Sequence, residues 1–316
     1  MDDSSQVGCR LMKFILFLLI SVPVLATTFY VNIGGLGGQE DYESRFKTQI
    51  EELDKLTRAA PQSKVFSLSG PLASKAKLKE TFAQIAKEAK AEDTLIVTLI
   101  GHGTYDGVEY KFNLPGADTS AKELAMWILP IAAKRQLLVN TTSASGGSLV
   151  DLRQEGRTVI TATKSGTEKL STVFPRYWLE ALRDPQADAD KNEVISALEA
   201  YRYAESKTTK YYEQNKRLAT EHPLLADTAS AAGFRTPDPT KGEAIFAMRI
   251  PVLSFGSIQN AAKTPEKQAL LKQRETIEQQ IDNLKLRKAA MAADPYRLEM
   301  RNLLLQVARI QQELDK

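Results

Sequence analysis

The chain of 316 residues has a single cysteine, Cys9, and two histidines, His102 and His222. Cys9 lies ahead of an apolar leader, so removal of that leader removes the last thiol. Neither a disulfide framework nor a cysteine nucleophile is then open to the mature protein. A surplus charge is missing too. Lys and Arg number 42 against 39 Asp and Glu, a net charge of +3, which gives no argument for nucleic acid or an anionic membrane surface. Long apolar runs are also missing. Phe14–Leu25 (FILFLLISVPVL) is 12 residues long, where a spanning helix needs roughly 20. Glycine is absent from Lys267 to Lys316.

The apolar stretch follows Lys13 and ends in Val24-Leu25-Ala26, a small-residue cleavage pattern. Residues 1–26 therefore read as a signal peptide cut near Ala26, and the protein as secreted or periplasmic, with no stable membrane span afterwards. An uncleaved N-terminal anchor is the second reading. Met12 is an alternative start, and from it Cys9 is never made. Residues 1–26 carry two acids and two bases, so the net charge stays +3 after cleavage. Without disulfides, stability rests on the core, and about 290 residues can bury a sizeable one.

Short β-rich runs alternate with helical periodicity from Thr28 onward. Strands are expected at Thr28–Ile33, Lys64–Leu68, Thr94–Ile100, Gln136–Thr141 and Arg157–Thr163. Helices are expected at Glu40–Ala59, Ala73–Lys90, Ser120–Lys134 (with Pro130 ending or kinking it), Phe174–Arg183 and Val194–Arg217. This alternation predicts an α/β fold: a doubly wound, mostly parallel sheet with helices on both faces. Glu243–Ile250 reads as an added edge strand. From Thr264 the composition turns rich in Gln, Glu, Lys, Leu and Arg. Ile277, Ile281 and Leu284, then Met300, Leu303, Val307, Ile310 and Leu314, recur three or four apart. That is a heptad seam, and Asp294-Pro295 divides it into a helical hairpin. The domains expected are the signal peptide 1–26, an α/β domain 27–263 and a coiled-coil hairpin 264–316. The seam predicts packing within the chain, self-association, or a partner helix.

In doubly wound sheets ligands bind outside the carboxyl ends of the strands. Two motifs fall there. Gly101-His102-Gly103 follows the strand Thr94–Ile100, and Ser143-Ala144-Ser145-Gly146 follows Gln136–Thr141. A glycine beside a catalytic histidine lets its N–H approach a substrate carbonyl closely. Gly101–Gly103 is equally readable as a tight turn, and His222, before Pro223, as a loop residue.

The stretches Leu95–Gly103 (LIVTLIGHG), Leu138–Gly146 (LVNTTSASG) and Thr158–Gly166 (TVITATKSG) resemble the caspase–legumain group of cysteine peptidases, in its legumain-like branch, over residues 28 to about 210. The resemblance implies a caspase-like fold with His102 as base, Ser143 at the nucleophile position and the Gly103 and Ser143 amides as oxyanion donors. It also implies a substrate-side role for Arg45 and a peptide groove lined by Ser145. Members of that group carry Cys-x-Ser-Gly, where this chain has Ser143-Ala144-Ser145-Gly146. A closer resemblance is to bacterial secreted members carrying the same Thr-Ser-Ala-Ser-Gly run. A thiol beside histidine ionises readily. A serine hydroxyl stays protonated and needs a base held by a third group. Asp106 and Glu109, after His102, are the nearest acids in sequence. Two readings follow: a degenerate peptidase that binds peptide or protein without cutting, or a Ser143/His102 hydrolase on the same scaffold. A third makes the helical arm the functional part. The resemblance carries no substrate preference.

Asp188–Glu199 (DADKNEVISALE) fits the twelve-residue EF-hand loop. Asp188, Asp190 and Asn192 stand at positions 1, 3 and 5, the Val194 carbonyl at 7, Ser196 at 9 and Glu199 at 12. Calcium (Ca2+) is the cofactor this implies. Glu193 stands where glycine normally permits a sharp turn. The competing reading is an Asp-rich turn that caps a helix starting at Val194.

Overall fold

The structure, a computed structural model, describes residues 26–227, 232–256 and 264–316. The leader up to Leu25, Cys9, the alternative start at Met12 and the expected boundary at 263 lie outside the described residues.

A six-stranded sheet forms the centre. Its strands are β1 (Thr28–Gly34), β2 (Ser63–Leu68), β3 (Thr94–Ile100), β7 (Arg135–Asn140), β8 (Arg157–Thr161) and β10 (Leu224–Ala226), in the order β10-β8-β7-β3-β1-β2. All pairs are parallel except β10 with β8. The expected doubly wound sheet is thus present. Chain order reverses between β1 and β3, and this places a switch point at their carboxyl ends.

β3 is buried along its whole length, as an inner parallel strand requires. Its residues alternate between two cores. Ile96 and Ile100 join Tyr30, Val139 and Ile160 under α1 (Glu40–Ala59), α5 (Phe174–Ala181) and α6 (Ala197–Gln214). Leu95, Val97 and Leu99 join Val31, Leu138 and Val159 under α2 (Lys75–Glu88) and α3 (Ala121–Ile128). Each fully buried Leu, Ile or Phe contributes roughly 1.5–3 kcal/mol, so two filled faces stabilise the sheet without cross-links.

Several boundaries differ from expectation. α3 starts at a capping box between Ser120 and Glu123 and ends at Ile128, well before Lys134. Pro130 has no N–H to offer and would clash with the turn before it. Val194 does not begin a helix. Val194–Ser196 is strand β9, paired antiparallel with β11 (Pro251–Ser254), and Ser196 then caps α6 in a second capping box with Glu199. Glu243–Ile250 is not an edge strand. Asp227 accepts from the Phe246 and Ala247 amides and holds a 3-10 turn over Ala247–Arg249.

Between β3 and α3 a small antiparallel sheet inserts, made of β4 (Gly103–Tyr105), β5 (Tyr110–Phe112) and β6 (Thr119–Ser120). A short α4 (Leu149–Leu152) follows the β7 turn. The chain ends in the hairpin of α7 (Pro265–Arg287) and α8 (Ala293–Leu314). The reversal lies at 288–292, ahead of Asp294-Pro295. Pro295 sits in the first turn of α8, where an N–H has no intrahelical partner anyway. Ile281, Leu284 and Leu303 form the hairpin's small core. The hairpin docks through buried Arg274, which donates to the Asn192 carbonyl (2.6 Å), Gln311 (2.6 Å) and Glu278 (2.8 Å), and through an Arg135–Glu275 pair at 2.7 Å. No helix of the described residues is long and apolar enough to cross a membrane.

Candidate functional site

β3 and β7 are neighbours, with Leu99 opposite Asn140. His102 and Ser143 therefore leave the sheet side by side. The turn after β7 is tight: Ala144 adopts φ 55°, a left-handed conformation uncommon for a residue with a Cβ. Its N–H donates to the Glu168 carbonyl at 2.7 Å, and this anchors the turn to the loop after β8. Beneath it lies a buried polar web. Tyr110 Oη meets Thr142 Oγ1 at 2.6 Å, Thr142 donates to Asn140 Oδ1 at 2.9 Å, and Asn140 donates to Ser148 Oγ at 3.0 Å. Satisfied networks of this kind fix one conformation.

Ser143 is buried. Its hydroxyl donates to the Gly103 carbonyl at 3.0 Å, and the Gly103 N–H donates back to Ser143 Oγ at 3.2 Å. The amide that would serve as an oxyanion donor is thus taken by the chain's own serine. This close approach requires glycine. A Cβ at position 103 would lie 2.5 Å from the Ser143 carbonyl oxygen and 2.6 Å from Thr142 Oγ1.

The His102 ring packs edge-on against Tyr42 and Phe46, with centroids 4.5 and 5.1 Å away. Burial holds its pKa below the ordinary histidine range, the Arg45 charge lowers it further, and a hydrogen bond to the Gly37 backbone partly opposes both. Burial and the Arg45 charge both disfavour the imidazolium form. Glu43 fixes the loop that supplies this bond, accepting from the Gly37 N–H at 2.7 Å and the Gly38 N–H at 3.2 Å. Among the described residues no hydrogen bond joins His102 to Ser143. Nor does either acid after His102 orient it. Asp106 accepts from the Val108 and Glu109 amides, and Glu109 faces Lys111 at 3.6 Å.

Arg45 lies over the Tyr42 ring at 4.6 Å and donates to Ser171 Oγ at 3.0 Å. It bridges α1 to the loop before α5, beside His102. Ser145 is fully buried. Its hydroxyl meets Thr163 Oγ1 at 3.2 Å and accepts from the Thr163 N–H at 3.1 Å, so it braces the turn from inside. His222 reaches this loop as well, its Nδ1 bonded to Glu168. Next to it, Glu221 accepts from the Val173 and Phe174 amides and from Tyr212, and burial pushes its carboxyl up to about 7.

Sequence reasoning missed Gly37, Glu43, Tyr42 and Phe46 around His102, and the Glu168–His222–Glu221 group. Gly37, Glu168, Glu221 and His222 act through loops that fold back across the carboxyl ends, and Tyr42, Glu43 and Phe46 act from the first turns of α1. The one local signal was the acidic first turn of α1, with Glu40, Asp41 and Glu43.

The Asp188–Glu199 loop lies away from these residues, next to the hairpin. Carboxylate oxygens of Asp188, Asp190 and Glu199 lie within 4.8 Å of one another. Asp188 accepts from the Asn192 and Glu193 amides. Glu193 takes φ 63°, the conformation glycine would adopt at that position. Asn192 Oδ1 accepts from the Val194 N–H at 2.8 Å, and the Ser196 hydroxyl donates to Glu199 at 2.8 Å. Val194 pairs with Ser254 across the two-stranded sheet. Asp190 is exposed at its edge, but desolvation of its carboxyl, followed by the negative charge of Glu199, pushes it up to about 6. Three carboxylates this close could hold a metal ion, and Glu199 among them also accepts from the Ala189 and Ser196 amides. Asn192 and Ser196 are turned to their own backbone and to Glu199.

No protein-family model matches the chain, and no curated protein matches it. Among solved structures it is similar to a structural-genomics protein from Geobacter sulfurreducens, at 10% identity and a TM-score of 0.46, covering 73% of this chain and 99% of that one. It is also similar to the Drosophila initiator caspase Dronc (12% identity, TM-score 0.43, 65% and 80% covered). Caspase-1 from Spodoptera frugiperda stands at 13% identity and a TM-score of 0.43, with 64% and 86% covered.

Proposed function

We propose that this chain is an exported, caspase-like degenerate peptidase that binds peptide or protein segments at the carboxyl ends of β3 and β7 without cutting them. One observation carries the reading: the Ser143 hydroxyl is closed on the Gly103 backbone, donating at 3.0 Å and accepting at 3.2 Å, and has no hydrogen bond to His102. A serine becomes nucleophilic when a base takes its proton during attack. Here the hydroxyl proton points to a carbonyl. A bound segment would compete with Ser143 for the Gly103 amide, with Arg45 and His102 beside it. The export reading is supported by the apolar stretch Phe14–Leu25 and the Val24-Leu25-Ala26 pattern.

The test is to treat the purified protein with a fluorophosphonate and record intact mass, alongside Ser143→Ala and His102→Ala. No mass gain on folded protein is expected. A gain on the parent that both variants lose would make the protein a serine hydrolase and overturn the reading.

A second proposal concerns the loop Asp188–Glu199. The convergence of the Asp188, Asp190 and Glu199 carboxylates within 4.8 Å favours calcium as its ligand. When bound, the ion would neutralise repelling charges and brace β9 and α6. Isothermal titration with calcium tests this, and a flat titration rejects it.

A further inference from the structure

The outer face of α8 is left uncovered by the hairpin core. Its inner face carries Leu303, with Met300 and Val307 packed beside it, towards α7. Leu298 and Leu305, exposed by 53 and 51%, lie on the opposite face, and Leu304, exposed by 51%, lies on the flank beside Met300. Three arginines, Arg297, Arg301 and Arg309, interleave with them at three- and four-residue spacing. Leu304 and Leu305 line one shallow groove with Met300 and Tyr296, and Arg297 and Arg301 form part of its wall. Arg297 has a partner, the exposed Asp294 at 3.7 Å. Among the described residues no ion pair or hydrogen bond engages Arg301 or Arg309. A face combining leucines with unneutralised arginines is an incomplete surface.

The composition of the face selects the occupant. A second copy of the same face would set arginines against arginines, and like charges in contact are unfavourable. A lipid surface fits poorly, because Arg301 stands between Leu298 and Leu305 on the helix and would be drawn into the acyl layer with them. A helix bearing both leucines and carboxylates satisfies both sets of groups. Its apolar side chains would fill the groove, and its carboxylates would meet Arg297, Arg301 and Arg309.

We infer that the outer face of α8 is a docking surface for an acidic amphipathic helix of another protein. The site is independent of Ser143 and His102.

The experiment uses the full chain and two fluorescein-labelled designed helical peptides. One has Leu and Glu at three- and four-residue spacing; the other has Lys for every Glu. Anisotropy titrations are run on the parent protein, on Arg301→Glu and on Arg297→Glu/Arg301→Glu, with helicity and melting checked for each. Saturable binding of the Glu peptide to the parent is expected, weakened roughly tenfold or more by Arg301→Glu. The Lys peptide is expected to prefer the double variant. Absence of Glu-peptide binding, or binding indifferent to both charge reversals, would overturn the inference. So would Arg301-dependent binding to phosphatidylglycerol vesicles without peptide binding, or a dimer in sedimentation that Arg301→Glu abolishes.

Discussion

Ser143 and Gly103 satisfy each other: the hydroxyl donates to the Gly103 carbonyl at 3.0 Å, and the Gly103 amide donates back at 3.2 Å. The pair ties the turn after β3 to the turn after β7. The serine is a clasp in this arrangement, and the clasp has a measurable stability.

Ser143→Ala removes both bonds and leaves a buried carbonyl and amide without that partner. A loss of about 1–3 kcal/mol is expected, read as a lower denaturant midpoint with an unchanged slope. An unchanged midpoint would show that the two bonds contribute nothing net.

Gly103→Ala tests the closeness of the two turns. The new Cβ would lie 2.5 Å from both the Ser143 carbonyl oxygen and the Tyr110 ring, and both residues are buried. Overpacking of this kind costs about 1–3 kcal/mol or more. A variant that melts with the parent would show that the turns lie further apart than described.

Glu221 gives the loop before α5 a pH dependence. Its folded pKa, pushed up to about 7 by burial, lies above the unfolded value for a glutamate. The native state thus holds a proton that the unfolded state has released. The contribution to stability is complete below the unfolded pKa and is lost as pH rises towards 7. Denaturation from pH 4.5 to 7.5 is expected to show this fall, at most about 3 kcal/mol, and Glu221→Gln is expected to flatten it. Equal slopes in both proteins would assign the dependence elsewhere.

How much of this was legible in the sequence depends on how local each determinant is. β3 announces itself because a strand buried on both faces must be apolar throughout, and Thr94–Ile100 is. His102 and Ser143 were placed at carboxyl ends because each follows such a run. The support for His102 was not legible. Gly37 and Glu43 come from the far side of β1, and no periodicity links them to position 102. β9 and β11 escaped notice because strands of three and four residues are defined by their pairing more than by their composition. Pro295 was read as the break between the helices because proline usually ends one, yet it tolerates a first turn equally well.

Calcium is expected to raise the melting temperature of the protein in a concentration-dependent way, as any ligand of the native state does. Glu199→Gln and Asp190→Asn should each shift that response to higher calcium concentration, because affinity follows the number of charged ligands. An identical response in parent and variants would place the ion elsewhere.

The most direct measurement uses the scarcity of thiols. In a chain produced without residues 1–26, Ser143→Cys is the only cysteine, so its alkylation by iodoacetamide can be followed from pH 5 to 10 without background. If His102 is held by the Gly37 backbone and does not engage position 143, the thiol is expected to titrate at or above the ordinary value of about 8.5, and His102→Ala should leave the midpoint in place. A midpoint below about 7 that His102→Ala raises would show a working base–nucleophile pair and contradict the account.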